Sequence, residues 1–132
     1  MSDNPAKPWI GKNGKVKPAA RHKARYFAVQ GLYQWQLAEG NITDIEAQFR
    51  ADNDSKRIDW DYFHELLRGI SREQSELFAD LTPYLDRDSD DLDPIEKAIL
   101  LIACFEFKKR IDIPYKVVIN EAVELAKTFG AT

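Results

Sequence analysis

Arg21, His22, Lys23 and Arg25 fall within five consecutive residues at the head of an apolar stretch, and a second cationic group, Lys108, Lys109, Arg110 and Lys116, lies near the C-terminus. Guanidinium and ammonium groups at such spacing suit the phosphates of a nucleic acid, and neighbouring tyrosines could stack on unpaired bases. On a helix of 3.6 residues per turn the first cluster shares its outward half with Tyr26 and Tyr33. The two clusters together could make one track. Charge alone leaves a solvating surface as the alternative reading.

The placement of charge is lopsided. Residues 1–25 hold seven Lys/Arg (Lys7, Lys12, Lys15, Lys17, Arg21, Lys23, Arg25) against Asp3 alone, although the 132-residue chain has a formal net charge of −3. The remainder is strongly acidic, and its densest part runs from Glu73 to Glu96, with nine anions and only Arg87 opposing them. A protein so polarised favours one oriented footprint on nucleic acid over indiscriminate coating, because its acidic part repels phosphate. The acidic field itself could steer a basic partner protein or simply solvate a loop.

Other chemistry finds little support. His22 and His64 have no metal-ligand spacing with each other or with Cys104. The six glycines are scattered, so no phosphate-cradling loop is present. The run "DRDSDDLD" from Asp86 to Asp93 lacks the central Gly and terminal Glu of a calcium loop. Cys104, the single cysteine, lies within the apolar run "AILLIACF" and reads as a small buried hydrophobe. The expectation is a protein that is not an enzyme and needs no metal or cofactor.

The elements that must hold the cationic residues are all helical. Residues 1–17, rich in Pro, Gly and Lys without an apolar period, read as a flexible basic tail, and residues 18–132 as one domain. A first helix begins at Pro18, with Ala24, Phe27, Ala28, Gly31, Leu32, Trp35 and Ala38 as its inward stripe and Gly40–Asn41 as its stop. A short helix spans about Ile42 to Ala51, with Ile42, Ile45 and Phe49 inward. Asp59 caps a third helix carrying Phe63, Leu66, Leu67 and Ile70, which continues to Leu81 with a break near Ser71. Asp93, Pro94 and Glu96 form a start signal for a central helix that is apolar on most sides. Pro114 opens a last helix with the stripe Tyr115, Val118, Ile119, Ala122, Ala126 and Phe129. No segment alternates long enough to require a strand, so the fold class is an all-α bundle. The longest apolar run is far too short to span a bilayer and no signal peptide precedes it, which points to the cytoplasm.

Specific segments extend this reading. "PAARHKARYFAVQGLYQWQLAEG" resembles the arginine-rich first helix of the bacterial NusB family, and "IPYKVVINEAVELAKTFGA" resembles that family's "PYKVAINEAIELAKSFGA" segment. "DWDYFHELLRGI" and "PIEKAILLIACFE" match in order and spacing, so the resemblance runs from Pro18 to Ala131. It implies an all-helical fold and a transcription antitermination role. Family members bind the boxA element of nascent ribosomal RNA together with NusE, the ribosomal protein that doubles as a transcription factor, and through them act with RNA polymerase and other Nus factors.

Carried over residue by residue, the resemblance implies RNA contacts at Arg21, His22, Lys23 and Arg25; the second cationic group adds Lys109, Arg110 and Lys116 as candidate contacts, and Phe129 is a candidate ring for stacking on a base. His22 and Lys23 stand where arginines are common, and a lysine can neither fork nor stack as arginine does. The surface for the ribosomal protein maps to Asp90 and Glu96, bordered by Tyr33. The family's usual final helix has no counterpart after Ala131, which predicts Val117, Val123 and Leu125 left uncovered, a frayed Phe129 and lowered stability or self-association. Two other readings remain: the NusB-like module of an rRNA methyltransferase system, for whose catalytic part this chain has no room, and a protein-interaction module without RNA binding.

Overall fold

A computed structural model describes residues 7–38, 40–53, 55–85 and 91–130. Five α-helices occur among them: α1 (Pro18–Ala38), α2 (Ile42–Asp52), α3 (Trp60–Leu81), α4 (Pro94–Lys109) and α5 (Tyr115–Thr128), with one turn of 3-10 helix at Thr82–Tyr84. The start signals act as their residue types dictate. Asn41 accepts from the Thr43 amide, Asp59 from Tyr62 and Asp93 from Ile95, each satisfying a donor that a helix N-terminus leaves unpaired. Pro94 occupies the first turn of α4, where its missing N–H is not needed.

The core lies where α1, α3 and α4 pack pairwise. Ala24, Ala28 and Leu32 of α1 meet Phe63, Leu66, Leu67 and Ile70 of α3 and Ala98, Leu101, Ile102 and Phe105 of α4. Small residues let the axes approach. A Cβ placed on Gly69 would lie 2.5 Å from the Phe105 ring, so this position in α3 admits no side chain without displacing that ring of α4. Phe27 and Phe49 fasten α2 to the trio through edge contacts that continue to Phe63 and Trp60.

The break expected in α3 near Ser71 lies two residues on, as a kink at Glu73, whose φ/ψ of −110/17 is non-helical, before the helix continues to Leu81. Two other expectations change. The buried seam of α5 is Val118, Leu125 and, in part, Ala122, while Tyr115, Ile119 and Val123 are exposed. Leu125 is therefore covered, because α5 lies against α4 and α1 on a narrower and rotated stripe than the one read from the sequence. Residues 7–17 carry local structure that the tail reading did not include. Ile10 and Val16 form an antiparallel bridge, the Lys17 amide donates to Trp9 O at 2.8 Å, and Lys7 is ion-paired with Asp61 at the start of α3.

Cys104 is half-buried, its Sγ 3.7 Å from Leu77 O, and burial pushes its thiol pKa up. No helix among the described residues is long and apolar enough to cross a membrane.

Candidate nucleic-acid interface

The start of α1, the start of α3 and the α4–α5 junction converge on the ring of Tyr62. The guanidinium carbons of Arg21, Arg25 and Arg110 lie 4.6, 5.5 and 5.1 Å from its centroid. Three like charges at one ring would repel, and carboxylates offset them. Arg25 is 2% exposed and its Nε donates to Glu106 Oε2 at 2.8 Å, with Glu121 at 3.6 Å from its Nη1. Arg110 donates to Glu65 at 2.9 Å and to Asp112 at 3.0 Å. The Arg21 Nε lies 3.6 Å from Asp59 Oδ2, an ion pair without a hydrogen bond.

These pairings set the local titration behaviour. Hydrogen bonding to Asp112 raises the Arg110 pKa above its ordinary value, and the same bond holds the Asp112 carboxyl below the usual carboxylate range. Burial, then the nearby Glu106 charge, pushes Tyr62 well above the ordinary phenol range, so its O–H stays protonated and donates to Glu106.

The predicted contact residues divide into distinct groups. Arg25 is not an outward cation; it points into the bundle because a residue one turn from Arg21 on α1 lies against α4, where Glu106 receives it. His22 is half-buried and paired with Glu121 of α5. Tyr26 is likewise half-buried, and Phe129 stacks on it with ring centroids 5.1 Å apart and planes at 20°, so Phe129 is packed at the end of α5 and is not frayed. Lys109 departs from the group toward Glu73 of α3, 3.0 Å away. Lys23 and Lys116 are exposed and have no ion pair among the described residues. A cleft of about 260 Å³ opens between the start of α1 and the start of α5, with Val16, Pro18, Ile113 and Val117 as apolar walls and both arginines (Arg21, Arg25) and carboxylates (Asp112, Glu121) in its lining.

Sequence reasoning missed Glu106, Glu121 and Tyr62 and gave Asp59 only as a helix cap, although all four fix the arginines. A signal existed for Glu106: it lies four residues after Ile102 and seven after Ile99, on the buried face of α4, where a carboxylate requires a partner.

Of the residues predicted for a protein partner, Tyr33 lies at a second opening, whose lining includes Tyr26 and the RNA candidate Phe129. Tyr33 is exposed and borders a shallow groove of about 540 Å³ with Tyr26, Leu37, Ile95 and Phe129. Glu96 follows Ile95 in the first turn of α4. Asp90 lies outside the described residues. No group of three His, Cys, Asp or Glu side chains among the described residues could hold a metal ion.

The family model described as the NusB family matches residues 22–132, nearly all of the helical bundle. This chain belongs to the NusB family. It is 54% identical over 116 residues to the transcription antitermination protein NusB of Idiomarina loihiensis, covering 88% of this chain and 84% of that protein. The protein of the same name from Alcanivorax borkumensis is 54% identical over 119 residues, with 90% and 79% covered. That from Marinobacter nauticus is 51% identical over 125 residues, with 95% and 79% covered. Within this NusB-family chain, the arginines around Tyr62, apart from Arg21, and both exposed lysines of the bundle end fall in the matched region, whereas the bridged segment 7–17 precedes it.

Proposed function

We propose that this chain is a transcription antitermination factor that binds boxA-type single-stranded RNA of nascent ribosomal RNA, in company with the ribosomal protein NusE and, through it, RNA polymerase and other Nus factors. Its role is binding without catalysis. The observation that carries this reading is the coincidence of NusB-family membership with two exposed cations, Lys23 and Lys116, that have no ion pair among the described residues, at a bundle end whose arginines are already offset by carboxylates.

In this reading Lys23 and Lys116 receive phosphates directly, and Arg21, Arg110 and His22 contribute their exposed edges. Arg25 acts from beneath, as a positioning residue held by Glu106. Phe129 offers to a base only the part of its ring that Tyr26 leaves uncovered. Lys109 contributes at the periphery, because Glu73 already holds it. Tyr33, Glu96 and Asp90 belong to the surface for the ribosomal protein, with the groove at Leu37 and Ile95 as its apolar centre.

The test is to titrate a labelled boxA-type RNA and the ribosomal protein separately and then together. RNA binding that weakens steeply with salt and tightens when the ribosomal protein is present supports the reading. Binding of the protein partner alone, with no RNA affinity in either titration, favours a pure protein-interaction module and contradicts it.

A further inference from the structure

Residues 7–17 form a built feature, and the RNA reading above does not use it. The chain turns through Gly11-Lys12-Asn13-Gly14-Lys15: the Gly11 amide donates to Lys15 O at 2.7 Å, Gly14 to Gly11 O at 2.9 Å, and the Lys15 amide to Asn13 Oδ1 at 3.0 Å. Gly14 has a φ of +79°, a left-handed conformation that side-chain-bearing residues rarely adopt. The resulting hairpin is clamped on the bundle at two places. Lys7 pairs with Asp61, and Val16 forms one wall of the cleft that Arg21, Ile113 and Val117 also line.

That clamping fixes where the remaining charge sits. Lys12, Lys15 and Lys17 are exposed and have no ion pair among the described residues, and the described hairpin carries no acidic residue. In this they differ from most cations of the bundle end. A basic segment that served solubility alone would need neither the bridge nor the anchor on α3. Val16 instead sets the hairpin's second arm against the cleft that Arg21 lines, and the hairpin carries three exposed ammonium groups on the segment that leads into the N-terminus of α1.

We propose that this hairpin is an accessory RNA-binding element, whose Lys12, Lys15 and Lys17 take backbone phosphates of single-stranded RNA flanking the segment bound at α1. The proposal rests on the RNA-binding reading above and extends its footprint to a segment outside the NusB-family match. Ammonium groups on flexible stems act as point charges, so the added contact strengthens binding without reading sequence.

The experiment measures affinity of the full chain for a boxA-type RNA with flanking nucleotides on both sides, across a salt series. Each phosphate neutralised on a single strand contributes about 0.7 to the slope of log affinity against log salt, so Lys12→Gln/Lys15→Gln/Lys17→Gln should reduce the slope by about 2. A charge-matched variant on other surfaces, Arg72→Gln/Lys97→Gln/Lys127→Gln, should leave it nearly unchanged. Shortening the flanks should weaken the parent protein and leave the hairpin variant little affected. A parent that binds RNA, with the same slope in both variants, overturns the hairpin proposal and leaves the functional reading standing. A parent with no RNA affinity overturns both.

Discussion

Two groups of cations meet at one end of this bundle, and they differ in what surrounds them. Arg21, Arg25 and Arg110 gather on the Tyr62 ring and are held by Asp59, Glu106, Glu65 and Asp112. Lys23 and Lys116 stand in solvent with no ion pair among the described residues. Identical formal charges thus do different work. The buried arginine joins α1 to α4, whereas the exposed lysines keep their charge available for a ligand. Burial decides the division, because a desolvated cation demands a partner and a hydrated one does not.

The largest effect expected from this contrast is at Glu106. Glu106→Ala leaves Arg25 charged, buried and without its main partner, and should destabilise the fold by about 3–5 kcal/mol in urea denaturation. The exposed pair Lys108–Asp80 is the counterpart in α4, and Lys108→Ala should change stability little by the same measurement. Equal losses at both places would abolish the distinction between held and available charge.

Tyr62→Phe tests the middle of the arrangement. It keeps the ring beneath the three guanidinium groups and removes only the hydroxyl that donates to Glu106. A loss of about 1.5–3 kcal/mol is expected, the value of a hydrogen bond to a charged group, with the helical circular dichroism signal unchanged. At the exposed lysines the sign of the test reverses. Lys23→Gln/Lys116→Gln should leave the melting temperature within error and lower the salt slope of RNA binding by about 1.4, two contacts at about 0.7 each.

The smallest effect concerns pH. Arg110 depresses the Asp112 pKa, so this contact stabilises the fold above the ordinary carboxylate range and its contribution fades as pH falls through the lowered folded value. Asp112 is largely exposed, so the parent should exceed Asp112→Asn by about 0.5 kcal/mol or less at neutral pH. The difference should vanish in acid, as pH-dependent denaturation curves would show.

Much of the scaffold is legible in the residue types alone. Pro18, Asp59, Asp93 and Pro94 mark their helix starts, and the stripes of α1, α3 and α4 carry the core, because these local rules and the tertiary packing agree. The last helix is less legible. Its apolar residues cover more than one face, so periodicity permits either Ile119 or Leu125 inside, and only the position of its neighbours selects Leu125.

The bundle end shows the same limit. A helical projection gives the angle of Arg25 but says nothing of Glu106, 81 positions later, and so assigns a buried charge to the surface. The hairpin was obscured for another reason: a bridge of one residue pair leaves no alternating pattern, and its Gly and Lys content imitates a disordered tail.

The central claim is that RNA occupies the end of the bundle where α1 and α5 begin. Amide chemical-shift mapping of the full chain during titration with a boxA-type RNA tests it most directly. The account predicts shifts concentrated at Lys17–Lys23, Ile113–Val117 and the hairpin around Lys12–Lys15, with Glu76–Leu85 unaffected. Shifts centred on Tyr33, Leu37 and Ile95, or spread evenly over the surface, would contradict it.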